Sequence, residues 1–142
     1  MKKSFAALLA LAVGLTWGMA LSQQAPPKAP PKPENRKLVG TWALEVDAGG
    51  MIVSLTMVIT ETGGKLSGKV SEQNGMFTDA DLANIDYNGS DFNGEISVPS
   101  PPDGAVKTWS IKTKVGEETL EGTIENADAG MSAALTGKRI KK

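Results

Sequence analysis

A short phrase recurs along this chain, in which two large apolar residues flank a glycine, each two positions away from it. It occurs at residues 66–70, 92–96 and 120–124, and a looser copy occurs at 135–139. Apolar residues at alternate positions predict β-strands, and a glycine on the apolar face indicates a strand that bends or clears a neighbour inside. The repeat therefore predicts an antiparallel sheet that curls into a barrel.

The same alternation predicts eight strands, joined mostly by short turns such as Gly63-Gly64 and Asn88-Gly89. No helical periodicity is present beyond residue 22. Short hairpins favour an all-β, up-and-down meander barrel, whereas a two-sheet sandwich needs longer crossovers, for which 73–81 and 99–104 are the candidate loops. The predicted strands are 38–46, 51–60, 65–72, 82–87, 91–98, 105–114, 119–126 and 131–140.

The alternation also assigns side chains to the interior. In the fourth strand Ala83, Ile85 and Tyr87 are predicted to face inward, and in the last strand Met131 does so. The prolines from Pro99 onward are expected to end the fifth strand. The inward glycines have two interpretations, because they either let strands bend or leave interior room for a ligand.

The first 22 residues have the pattern of a secretory signal peptide. Lys2 and Lys3 precede an apolar run at 5–15, and small residues follow, with cleavage expected between Ala20 and Ser22. The apolar run is shorter than the roughly 20 residues that a membrane span needs. We therefore expect an exported protein, periplasmic or extracellular, with no membrane span after cleavage.

A proline-rich segment follows the predicted cleavage site. Residues 23–37 contain five prolines at 26, 27, 30, 31 and 33, which predicts an extended spacer, or alternatively a proline-motif ligand. Residues 38–140 are then long enough for one domain, with 141–142 as a tail. The chain has no cysteine, so the domain has no disulfide bond and no lipid-modified cysteine.

Composition excludes much of the common catalytic chemistry. The chain has no histidine and no cysteine, so it lacks catalytic triads, cysteine nucleophiles and the usual zinc ligands. Asp79 and Asp81 supply too few oxygens for a calcium loop. The 15 basic and 16 acidic residues are interspersed, which leaves no basic face for nucleic acid. We expect no metal and no cofactor. We also do not expect an enzyme, and a carboxylate-dependent enzyme therefore ranks third among three functional hypotheses.

A tryptophan on the first predicted strand and an arginine on the last carry a family resemblance. Gly40-Thr41-Trp42 and Arg139 resemble the calycin group, which comprises lipocalins, fatty-acid-binding proteins and avidins. The resemblance implies that Gly40, Trp42 and Arg139 plug the closed end of a barrel, with the guanidinium packed on the indole. The chain is more similar to small lipocalin-like barrels of exported bacterial proteins. It differs from typical lipocalins in its shorter length and in lacking cysteines and a C-terminal helix.

Two functional hypotheses follow from such a barrel, whose interior is either filled by side chains or holds one small ligand. In the first, the open end binds a small apolar or amphipathic molecule. In the second, the barrel is filled and serves as an interaction or structural module of the cell envelope, with a protein or glycan partner. The residues predicted to line a ligand site in the first hypothesis are Leu55, Met57, Phe92, Ile96 and Trp109, under a loop that carries Met76 and Phe77.

Overall fold

The computed structural model describes residues 33–141, so the predicted signal peptide and most of the predicted spacer lie outside the described residues. A short 3-10 helix at Pro33–Lys37 occupies the end of the predicted spacer. Nine strands follow it: β1 Gly40–Asp47, β2 Ile52–Thr62, β3 Lys65–Glu72, β4 Ala80–Asp81, β5 Ala83–Tyr87, β6 Asp91–Ser100, β7 Ala105–Val115, β8 Thr119–Asn126 and β9 Met131–Ile140.

The strands form one antiparallel sheet that curls into a nearly closed barrel. Their order is β4-β3-β2-β1-β9-β8-β7-β6-β5, so every neighbour is also consecutive in sequence except the pair of β1 with β9. That pair joins the first strand to the last, with Trp42 opposite Arg139 and Leu44 opposite Gly137. The predicted all-β meander barrel is therefore confirmed, while its assignment to the lipocalins stays a prediction.

The predicted number of eight strands is wrong, because the fourth one is divided. β4 pairs with β3 and β5 pairs with β6, while Leu82 lies between them and donates its N–H to the Gly68 carbonyl at 2.9 Å. Asn84 has a φ of 50°, and the register shifts between Ala83 and Asp86. This irregularity breaks the alternation, so Leu82 is buried and Ala83, predicted to face inward, is exposed.

The predicted end of the fifth strand before Pro99 is also wrong. β6 continues through Pro99, opposite Val106, to Ser100. On its other side β6 is paired with β5 only as far as Glu95, so its last residues form an edge within the described part of the chain. An edge strand tolerates proline, since its N–H is not required by a second neighbour.

Side chains from all around the barrel fill its interior, and the recurring glycines accommodate them. A Cβ at Gly68 would lie 2.5 Å from the Leu82 side chain, and one at Gly137 would lie 2.6 Å from Leu44. At Gly122 a Cβ would lie 1.9 Å from the backbone oxygen of Lys112, because β8 passes very close to β7 there. These glycines therefore make room for neighbouring side chains and backbone of the barrel itself.

We predict that Gly122→Ala lowers the free energy of unfolding by about 1–3 kcal/mol, because its methyl group meets backbone that cannot rotate away. Urea unfolding followed by circular dichroism measures the change. Ser132→Ala, on the exposed face of β9, is the control and should stay within about 0.5 kcal/mol of the wild type. A Gly122→Ala protein as stable as this control would contradict the close approach.

Candidate functional site at the distal end of the barrel

The two ends of the barrel differ. We call the end that contains Trp42 the proximal end. Arg139 covers the indole of Trp42 there, with the guanidinium carbon 4.3 Å from the ring centroid. The guanidinium also donates to the carbonyl oxygens of Val39 (2.7 Å), Glu117 (3.1 Å) and Lys37. One side chain therefore joins the last strand to the chain before β1 and to the β7–β8 turn, and it closes this end.

The chain that enters β1 completes the closure. Leu38 is fully buried and accepts a 2.8 Å hydrogen bond from Trp42 Nε1 through its carbonyl. The N–H groups of Leu38 and Val39 both donate to the carbonyl of Asn35 in the 3-10 helix. Gly40 has a φ of 140°, a backbone conformation that L side chains rarely adopt, and a Cβ there would lie 2.6 Å from Arg139 Nη1.

Four of the predicted ligand-lining residues lie within the packed interior. Leu55, Met57, Phe92 and Ile96 are at most 3% exposed and belong to the single core cluster. Their side chains contact other core side chains, so the structure gives them a packing role. Their role in binding a ligand stays a prediction.

Two shallow depressions are present on the barrel, one on its outer face and one at an unpaired seam where it reaches the buried core residue Leu82. One, of about 330 Å³, is on the outer face of β1, β8 and β9 beside Glu45 and Lys138. The other, of about 430 Å³, lies at the seam between β3 and β5 and includes Leu66 and Tyr87. The hydroxyl of Tyr87 is buried without a hydrogen-bond partner. Burial, reinforced by the nearby carboxylate of Glu34, raises the pKa of this phenol.

The opposite end, which we call the distal end, consists of the four connections 48–51, 73–79, 101–104 and 127–130 with the strand residues next to them. Trp109 and Phe77 are half-buried there and pack against the core. Met131, predicted to face inward, is exposed because it begins β9 beyond the end of the core. The large apolar side chains that are 53–69% exposed at this end are Met51, Ile52, Met76, Val106 and Met131.

A buried carboxylate organises the loop that carries Met76 and Phe77. Glu72 accepts hydrogen bonds from the backbone N–H of Met76 (3.1 Å) and the side-chain amide of Asn74 (2.8 Å). Its own N–H donates to the carbonyl of Phe77 at 3.0 Å. The Met76 hydrogen bond is the main reason that the pKa of Glu72 is lowered, and burial opposes it. The ionised carboxylate therefore stabilises the loop.

Trp109 is fixed at the distal end by a hydrogen bond to Ser100. Its indole Nε1 donates to Ser100 Oγ at 2.9 Å, and this hydroxyl donates in turn to the carbonyl of Val98 at 3.2 Å. The partner of Trp109 was not predicted from the sequence, because Ser100 lies in a proline-rich segment that reads as a loop. Trp109, Met76 and Phe77 are the predicted site residues that the structure brings to this end.

Aspartates accompany the apolar side chains of the distal end. Asp103 lies 3.7 Å from the Nζ of Lys107, and the N–H of Ala105 and this lysine lower the pKa of its carboxyl. Asp47, Asp79 and Asp128 are exposed and form no ion pair within residues 33–141. The distal end is therefore both apolar and acidic.

Metal sites, membrane-spanning helices and similar proteins give no functional assignment for the described residues. No group of three or more histidine, cysteine or acidic side chains within the described range is placed to hold a metal ion. No helix of that range has the length and apolar character needed to cross a membrane. Comparison of the chain with protein-family models, curated proteins and solved structures found no match.

We predict that Arg139→Lys lowers the free energy of unfolding by about 1–2 kcal/mol, because a compact ammonium cannot lie flat on the indole and also reach all the carbonyl groups that the planar, extended guanidinium reaches. Chemical unfolding followed by tryptophan fluorescence measures this loss. Lys138→Arg, an exposed neighbour, serves as the control and should be neutral. Equal stability of Arg139→Lys and the wild type would show that the positive charge alone is sufficient at this end.

We predict that Glu72→Gln removes a pH-dependent component of stability. Because the pKa of Glu72 in the folded protein lies below its ordinary value of 4.5, the ionised form contributes stability above about pH 4.5, and this contribution is lost as the pH falls through the folded pKa. The stability difference between wild type and Glu72→Gln should therefore shrink from pH 6 to pH 3. Glu121→Gln, an exposed control, should show no such trend, and a constant Glu72→Gln difference would contradict the role of the carboxylate.

Proposed function

We propose that this protein is a non-catalytic binding module, a filled barrel that docks a partner polypeptide on its distal end. The observation that carries the proposal is the grouping of exposed apolar side chains on or directly beside all four connections of one end. The interior offers a partner or ligand little room, because the predicted lining residues are taken up by core packing. The cell envelope is the expected location, which depends on the predicted signal peptide.

The grouping supports docking because of where the exposed apolar residues lie. Single exposed apolar residues are ordinary on protein surfaces, whereas a concentration of them is typical of an interaction site. Within the described chain, five of the seven exposed large apolar residues belong to the distal end, and the other two are Val58 and Ile140. Three of the five are methionines, whose flexible side chains adapt to a partner surface.

Binding of a small apolar or amphipathic molecule at the same end is the second candidate. Trp109 of β7 and Phe77 of the 73–79 loop are only half-buried, so they offer apolar surface at this end. A fatty-acid probe that displaces a docked peptide would favour this candidate. No specific observation favours a carboxylate-dependent enzyme, since Glu72 is engaged in holding its loop.

We predict that an amphipathic peptide of leucine and serine, long enough for about four helical turns, binds the protein saturably at the distal end. Labelling with fluorotryptophan separates the resonance of Trp109 from that of Trp42, and only the Trp109 resonance should shift. Replacing the three exposed methionines, Met51→Ser, Met76→Ser and Met131→Ser, should weaken binding about tenfold through the apolar area lost.

The matched control removes exposed apolar side chains from elsewhere on the barrel. Val58→Ser and Ile140→Ser should leave the affinity for the peptide unchanged, because both residues lie away from the distal end. Absence of saturable binding, or an equal loss in this control, would overturn the proposal.

A further inference from the structure

We infer that the partner segment that docks on the distal end is a cationic amphipathic helix. This inference rests on the proposed function and adds the chemistry of the partner. Its basis is that on or directly beside each of the four connections an exposed apolar side chain is accompanied by an exposed aspartate. The pairs are Met51 with Asp47, Met76 with Asp79, Val106 with Asp103, and Met131 with Asp128.

Basic side chains are scarce at this end: Lys107 lies beside it, whereas Lys65, Lys114 and Lys138 lie towards the proximal end. On the barrel wall and near the proximal end several acids have a basic partner, as in Lys69–Asp81 (2.7 Å) and Lys112–Glu125 (2.8 Å). At the distal end Lys107 accompanies Asp103 alone. The surface therefore combines apolar area with an excess of acidic over basic side chains. A partner with apolar residues on one face and lysine or arginine at its borders complements both properties.

A buried amide at the same end lacks an acceptor. Asn126, the last residue of β8, is 1% exposed and stands opposite Met131 in register. Its Oδ1 accepts the N–H of Ala129 at 2.9 Å, while its Nδ2 has no hydrogen-bond partner in the described structure. A buried donor without an acceptor is unfavourable, so the β8–β9 turn is imperfectly satisfied in the described structure.

A helix fits this surface better than an anionic membrane does. Aspartates around the apolar side chains would be repelled by acidic lipid headgroups. An amphipathic helix places apolar anchors along one face and basic residues beside them, and methionine-rich surfaces accept such helices. The half-buried Trp109 and Phe77 are the expected floor of the docking surface.

Three peptides with the same leucine pattern test the inference, with lysine, serine or glutamate at every polar position. We expect the lysine peptide to bind about tenfold more tightly than the serine peptide at low salt and the glutamate peptide to bind weakest. The advantage of lysine should decline as salt is raised, because exposed charges are screened. The fluorotryptophan signal of Trp109 reports binding in each case.

A charge-removing variant shows where the cation is recognised. Asp47→Asn, Asp79→Asn and Asp128→Asn together should lower the affinity of the lysine peptide about tenfold and leave that of the serine peptide unchanged. Asparagine keeps the acceptor that bonds Gly50 N–H at 2.9 Å and tolerates the φ of 51° at residue 79. The matched control, Glu117→Gln, Glu118→Gln and Glu121→Gln, removes as many charges from the other end and should have no effect.

The outcomes separate this inference from the proposed function. If the serine and lysine peptides bind equally, or if the control variant weakens the lysine peptide as much as the aspartate variant does, the cationic partner is overturned and docking stands. If none of the peptides binds, docking itself fails. Binding to vesicles of phosphatidylglycerol in preference to the lysine peptide would also overturn the inference.

Discussion

The pairing of the first strand with the last joins the two halves of this fold into one nearly closed barrel, and Arg139 holds that pairing. Its guanidinium covers Trp42 and donates to carbonyl groups of the segment before β1 and of the β7–β8 turn. With β1 and β9 held together, the inward side chains of every strand converge on one interior. The glycines at 68, 122 and 137 allow neighbouring groups to approach closely, so that the interior fills. Because the barrel is nearly closed and its interior is filled, we expect binding sites on its outer surface.

The distal end is where this outer surface has a distinctive chemistry. The four connections there are separated in sequence, but the antiparallel order of the strands brings them to one end. Ser100 holds Trp109, and Glu72 holds the loop with Met76 and Phe77. The end therefore combines fixed aromatic groups with flexible methionines and aspartates, a combination suited to docking a polypeptide.

Much of the fold could be predicted because alternation at a period of two is a local signal. The bounds predicted for β3, β8 and β9 agree with the structure. The alternation did not predict the register shift at Asn84, whose φ is 50°. It also did not predict that β6 continues through Pro99, which its edge position allows. The sequence also pointed to Trp109 and to a loop at 73–81, which spans 73–79 in the structure. It did not reveal the distal grouping, because Met51, Val106 and Met131 become neighbours only through the topology.

The proposed function requires that the interior is filled and that the methionine side chains of the distal end are accessible to a partner polypeptide. The most direct measurement is the broadening of methionine methyl resonances by a soluble paramagnetic probe. We expect strong broadening of the methyl resonances of Met51, Met76 and Met131 and none for Met57, which is 1% exposed. Broadening of Met57 would reveal an open interior, and protection of the three distal methionines would remove the surface on which docking depends.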